Sequence, residues 1–129
     1  MKILTILIAG VLVLHGLIHL MGTVTFMKLG TVQGLEYKTS LLNGRWNLGE
    51  RGIAVYGALW ALAAIGFVVS AIAMLAGWEW SRLALLVVAA FSLALTMLDW
   101  QDARAGGILN IIILLAAGIG PNILKWFGH

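Results

Sequence analysis

Two histidines, His15 and His19, stand four residues apart in an otherwise apolar run. At that spacing two side chains share one face of a helix, one turn apart. Such an imidazole pair can move protons, anchor a hydrogen-bond network or supply half of a metal site. Two carboxylates, Asp99 and Asp102, end a second stripe that steps through Ser92 and Thr96 at helical intervals. Tyr56 and Trp60 repeat the four-residue spacing on another segment, and Asn110 stands in a further one. Arg51 and Arg104 flank these segments and suit an anionic or developing negative charge. His15, His19, Asp99 and Asp102 are therefore the candidate catalytic acid–base groups. Arg51, Tyr56, Trp60, Thr96, Arg104 and Asn110 are the candidate substrate-binding residues.

Other chemistries lack their residues. The chain has no cysteine, which removes thiol catalysis and thiolate metal sites. It contains no GxSxG nucleophile elbow and no GxxxxGK[ST] or GxGxxG phosphate loop. A haem held between two helices needs a histidine opposite the first pair, and none is present on that side. Zinc on His15 and His19 would need Asp99, Asp102 or Glu50 to complete its shell, and hydrogen-bonded structural histidines are the favoured reading. No metal or other cofactor is expected.

The elements that must position these groups follow from composition. Of 129 residues, 62% are hydrophobic and only 10% charged, with a mean hydropathy of +1.04. A soluble domain carries roughly a quarter charged residues, so this chain has too few to cover a water-facing surface. The reading is a single domain over 1–129, an all-α integral membrane protein. It is a four-transmembrane-helix bundle with one long polar loop between helices 1 and 2. Helices are expected at about 3–22, 52–76, 83–98 and 105–124, each near the roughly 20 residues a span needs. The third is short, so Arg82 should snorkel or Asp99 sit at the hydrocarbon edge. Lys2 and the following run resemble a signal peptide, but no small-x-small cleavage site follows His19, and the run is kept as helix 1. The net charge of +3 is scattered, so nucleic acid is not an expected partner. Membrane lipid and a small lipophilic ligand are, and homo-oligomerisation is left open.

With four spans, the connections 23–51 and 99–104 share one side, and the tight connection 77–81 lies on the other. Trp46 and Trp100 fall on the first side, and Trp78, Trp80 and Trp126 on the second, as an aromatic belt requires. The basic residues Lys28, Lys38, Arg45, Arg51 and Arg104 lean the long loop towards the cytoplasm, but setting aside the three arginines reverses the count. This topology brings His15, His19, Asp99, Asp102, Asn110, Tyr56 and Trp60 to one leaflet. In the other half the notable polar residues are Thr5, Ser70 and Asn122. An ionised group in the hydrocarbon costs at least ~2.5–3.5 kcal/mol, so Asp99 and Asp102 should pair with Arg104, Arg51 or a histidine. The long loop is large enough to cap the resulting pocket. Its stretch Leu35–Leu42 is a candidate interfacial helix of poor period. Small residues at four-residue spacing (Ala54/Ala58, Gly57/Ala61, Ala90/Ala94, Ala116/Gly120) are candidate close-packing surfaces.

Three segments carry a resemblance. They are His15-Gly16-Leu17-Ile18-His19-Leu20, the stretch GERGIAVYGALW from Gly49 to Trp60, and LDWQDARAGGILNIIILL from Leu98 to Leu115. Together they resemble a family of small bacterial four-span membrane proteins of uncharacterised function, some loosely labelled permease-like. The resemblance covers most of the chain outside the long loop. It implies a multi-pass protein of the bacterial inner (cytoplasmic) membrane, and it brings no reaction and no catalytic residues. Three functions stay open. One is a membrane protein binding, and by water or proton chemistry hydrolysing or isomerising, a small lipophilic molecule. The second is a transporter or transporter accessory subunit. The third is a structural or assembly subunit held together by its polar residues.

Overall fold

The computed structural model describes residues 2–127, with side chains over residues 3–119. Four helices dominate it: α1 (Lys2–Phe26), α2 (Gly49–Ala76), α3 (Ser81–Leu98) and α4 (Trp100–Phe127). Each is long and apolar enough to cross a membrane, over Ile3–Phe26, Gly49–Ala76, Ser81–Leu98 and Trp100–Ile119. Helix is the form such segments must take, because lipid offers the backbone no hydrogen-bond partner. Large apolar side chains turn outwards along all four, among them Ile3, Leu14, Val55, Leu83 and Ile112, as they should where the solvent is acyl chain. Asn122, Lys125 and Trp126 lie outside the residues whose side chains are described.

The helices run longer than the sequence expectation at several ends, and the two largest differences each have a local cause. Thr23, Val24 and Thr25 stay helical instead of opening the long loop. The Thr23 hydroxyl donates to the Gly57 carbonyl at 2.7 Å and ties this extra turn to α2. The connection expected over 99–104 is mostly helix. Two residues leave helical geometry, Asp99 (φ −127°, ψ 43°) after α3 and Ala103 (φ −111°, ψ 16°), which kinks α4 just after its start at Trp100. Ala103 N–H and Asp102 N–H both donate to the Asp99 carbonyl, so the ladder stays supplied through the turn.

The expected interfacial helix over Leu35–Leu42 is absent. Residues 27–48 instead hold a short antiparallel ladder, β1 (Ser40–Leu41) with β2 (Trp46–Asn47), pairing Ser40 with Asn47 and Leu41 with Trp46. Gly44 closes it at φ +84°, beside Leu42 and Asn43 at φ +55° and +57°, a turn geometry a helix could not contain. The ladder is pinned to the bundle. Leu41 is buried against Phe26, Ile53, Tyr56 and Trp60, and Leu42 N–H donates to the Leu98 carbonyl at the end of α3.

On the opposite face, Gly77 caps α2 at φ +73°, a left-handed position that favours glycine, and the chain reverses through stacked Trp78 and Trp80. Arg82 does not simply reach for water. Its guanidinium donates to the Ala117 and Gly118 carbonyls of α4, at 2.7 and 3.0 Å. Residue 121 is proline, so Ala117 has no N–H four residues on, and Arg82 supplies the missing donor.

α1 packs along α2, α2 along α3 and α3 along α4, whereas α1 and α4 are not packed along their lengths. The α1–α2 seam is close because Gly16 faces Ala64 and Phe67, Gly22 faces Trp60, and Gly57 faces Phe26 and Met27. A Cβ at Gly16 would stand 3.0 Å from the Ala64 carbonyl oxygen. Of the expected small-residue pairs, only Gly57 serves this seam; Ala58, Ala90, Ala94 and Ala116 are exposed on the lipid-facing surface. The reason is rotational: four-residue spacing marks a face but not which face turns inwards.

The core has two layers. In the half away from the long connection, Ala9, Leu12, Phe67, Ala71, Leu85, Ala89 and Ile113 form an apolar plug. In the other half, Phe26, Leu41, Ile53, Tyr56, Trp60, Ala63 and Leu95 pack together. The buried polar residues of α1, α3 and α4 are grouped around and between these layers, towards the connection side.

Candidate functional site

His15 and His19 both turn inwards and are 3% and 1% exposed. Their nitrogens enter a circuit that joins three helices. His15 Nε2 lies 2.9 Å from Asn110 Oδ1, and Asn110 Nδ2 lies 2.8 Å from Ser92 Oγ. Ser92 Oγ is 2.5 Å from His19 Nε2, and His19 Nδ1 is 2.7 Å from the His15 carbonyl oxygen.

The proton positions follow from the acceptors. A carbonyl only accepts, so His19 Nδ1 carries a proton and donates. With neutral imidazoles, His19 Nε2 then accepts from the Ser92 hydroxyl. Ser92 Oγ accepts from the Asn110 amide, and Asn110 Oδ1 accepts from His15 Nε2–H. One proton arrangement makes all four hydrogen bonds of the circuit, from His15 through α4 and α3 and back to His15. The i,i+4 spacing makes this possible, since it places His19 Nδ1 over the carbonyl one turn back. Aromatic rings wall the circuit: Phe67 stands 4.8 Å from the His15 ring centroid and Trp60 5.0 Å from that of His19. His15 Nδ1 is the one ring nitrogen of the pair without a protein partner among the described residues.

Nearer the membrane surface lies a charged cluster. Asp99, whose side chain is 4% exposed, and Asp102 both pair with Lys38, and the Lys38 Nζ to Asp102 Oδ2 distance is 2.5 Å. The expected partners Arg51, Arg104 and the histidines are not used. Lys38 wins because the β-ladder, anchored at Leu41 and Leu42, carries the preceding segment over the end of α3. Burial pushes the Asp99 carboxyl above the usual carboxylate range, and Lys38 only partly offsets this. Burial acts to lower Lys38, but hydrogen bonds and charge from Asp102 and Asp99 outweigh it and hold the ammonium above its ordinary value.

Between the circuit and the cluster is a cleft of about 220 Å³. Its polar wall is formed by His15, His19, Asp99 and Asp102. Apolar lining comes from Ile18, Met21, Phe26 and Trp60, and Gln33, Gly34 and Leu35 of the long connection close its outer end. Ile18 and Met21 are also exposed on the bundle surface. The cleft therefore lies between α1 and the first part of α4, which do not pack along their lengths, with Ile18 and Met21 at its exposed edge. Gly106 helps to make the space: a Cβ there would meet only Thr96 at 3.6 Å and His15 at 3.9 Å.

Of the residues singled out from sequence, His15, His19, Asp99, Asp102 and Trp60 meet in this cleft. Asn110 does not line it but completes the circuit behind it. Tyr56 is buried with its hydroxyl donating to the Leu95 carbonyl at 2.5 Å, and Thr96 donates to Leu93 at 2.9 Å, so both serve α3. Arg51 is exposed in the first turn of α2. Arg104 lines a separate surface groove with Arg45, Asn43, Gln101 and Trp100, on the other side of Asp99. Both arginines are exposed, and an exposed charge has no need of a buried partner.

Sequence reasoning missed Lys38 and Gln33–Leu35 as site residues, because loop conformation leaves no periodic trace. It saw Ser92 only as a member of a stripe. Its four-residue step to Thr96 was the available signal that it faces inwards with the carboxylates. Glu50 pairs with Lys28 at 3.5 Å on the surface and takes no part in the histidine circuit. Among the described residues there is no group of three or more His, Asp or Glu side chains that could hold a metal ion. No family model, curated protein or solved structure matches this chain.

Proposed function

We propose that this protein binds a small lipophilic molecule in the α1–α4 cleft, taking it from the leaflet on the side of the long connection. The cleft itself carries the reading. It pairs an apolar, lipid-facing wall with imidazole and carboxylate groups on a fold whose remaining interior is packed. Its volume suits a ligand of one ring with a short substituent, since an engineered cavity of about 150 Å³ admits benzene. Any chemistry on the bound molecule would be water or proton transfer through His15, Asp99 or Asp102, as the chain offers no thiol. The membrane is taken to be the cytoplasmic membrane of a bacterium, which rests on the sequence resemblance alone.

A transporter reading needs a polar route through the far half, where Ala9, Leu12, Phe67 and Ile113 pack without one. A structural role has support of its own in the satisfied circuit across α1, α3 and α4. The two readings separate at Gly106. Gly106→Leu fills the cleft while leaving every bond of the circuit in place. Binding of cyclohexane-ring compounds to the protein in nanodiscs, followed by saturation-transfer NMR, should fall at least ten-fold in Gly106→Leu, while Gly106→Ala binds normally. Equal binding by wild type and Gly106→Leu would rule out the cleft as the binding site.

A further inference from the structure

The class of ligand can be narrowed from the hydrogen-bonding sense of the atoms that the cleft offers; this rests on the binding role proposed above. His19 has both nitrogens engaged, and Trp60 Nε1, though without a partner, is occluded. Gln33 carries both a donor and an acceptor and selects neither. What remains is one-sided. His15 is 3% exposed and lines the cleft, and its Nδ1 holds a lone pair, because its proton sits on Nε2 towards Asn110. Asp99 gives Oδ1 and Asp102 gives Oδ2 to Lys38, and the other oxygen of each carboxylate has no hydrogen bond among the described residues. Lys38, the cation of the cluster, is committed to these two acids.

We infer that the cleft selects a small lipophilic amine, bound as its ammonium, with its hydrocarbon part against Ile18, Met21, Phe26 and Trp60 and its N–H groups directed to Asp99, Asp102 and His15 Nδ1. Three acceptors without a donor reward a ligand that brings several N–H bonds. Two carboxylates against one ammonium leave a negative excess, which favours a cation and opposes a carboxylate. Phe26 and Trp60 add ring faces that attract a cation. A ketone, ether or ester brings acceptors only and would leave the wall's lone pairs unmet, a mismatch that binding sites reject strongly.

The test compares molecules that share one ring and differ in the head group. Cyclohexylmethylamine, cyclohexylmethanol, cyclohexyl methyl ketone and cyclohexanecarboxylate are titrated into the full chain in neutral-lipid nanodiscs. The amine should bind at least ten-fold more tightly than the alcohol, with ketone and carboxylate weaker still. Asp102→Asn, which alters the more exposed acid, should reduce the amine's advantage over the alcohol several-fold. Equal binding of amine, ketone and carboxylate, or an amine preference untouched by Asp102→Asn, would overturn the ligand class while the cleft stands. If none of the four binds, the binding role fails and the inference falls with it.

Discussion

The histidine circuit and the Lys38 cluster lie in the same half of the bundle, yet they solve the burial of polar groups in opposite ways. The circuit uses neutral groups, joins three helices, and returns to its starting residue with every bond made. The cluster uses full charges, joins a connection segment to one helix junction, and keeps carboxylate oxygens to spare. A neutral circuit suits the hydrocarbon, where an unpaired donor or acceptor has no water to turn to. Charges are tolerable only at the rim, where Lys38 and Asp102 still meet solvent. The difference teaches a division of labour: the circuit fixes the wall of the cleft, and the cluster sets its charge and fastens the segment that closes its outer end.

Breaking the cluster should have the larger effect. Lys38→Met leaves Asp99 buried without its cation, and removing one partner of a buried pair costs on the order of 3 kcal/mol. Thermal unfolding in detergent should report a loss of that size near neutral pH. The sign of its pH dependence is fixed. An acid held above its unfolded value contributes most when protonated, so Lys38→Met should regain stability as pH falls. A variant equally unstable at acidic and neutral pH would show that Asp99 is not the group exposed by the change.

Wild type should show the cluster from its alkaline side. Lys38 is raised in the folded chain, so its contribution is complete below the unfolded value of 10.5 and disappears as pH climbs through the folded one. Denaturation monitored above that pH should reveal a decline that Lys38→Met lacks. Identical alkaline limbs in the two proteins would argue against the ion pair.

Breaking the circuit comes next in size. Asn110→Leu removes two interhelical bonds and strands His15 Nε2–H, for an expected loss of about 1–3 kcal/mol. This loss should be flat between pH 6 and 9 if the imidazoles are neutral, in contrast to Lys38→Met. A strong pH dependence would mean that the circuit carries a charge. The smallest effect belongs to the surface pair. Glu50→Gln disrupts the contact with Lys28 between two exposed side chains and should change stability by less than about 1 kcal/mol. A larger shift would place Glu50 in a network beyond that pair.

Particular residues show where the sequence was legible. His15, His19, Asp99 and Asp102 were chosen by spacing, and the cleft gathers all four: the i,i+4 step puts the histidines on one helix face, whereas Asp99 and Asp102 meet there across the α3–α4 junction, where the helix breaks. Thr96 and Tyr56 followed the same rule and also turned inwards, but each donates to a backbone carbonyl and contributes no side chain to the cleft. Arg51 and Arg104 satisfied a charge count, but both are exposed. Charge balance constrains how many partners an acid needs and says nothing about which cation can reach it.

The sequence alone determined that four apolar segments must become spanning helices and that their polar residues collect towards one leaflet. Both follow from properties local to the chain, since hydropathy sets the spans and antiparallel order sets which ends meet. Tertiary structure alone decided that α1 and α4 part to leave a cleft, that Ser92 and Asn110 complete the histidine circuit, and that Lys38 reaches Asp99. These depend on how each helix is rotated about its axis and on the path of residues 27–48, both set by packing between segments far apart in the chain.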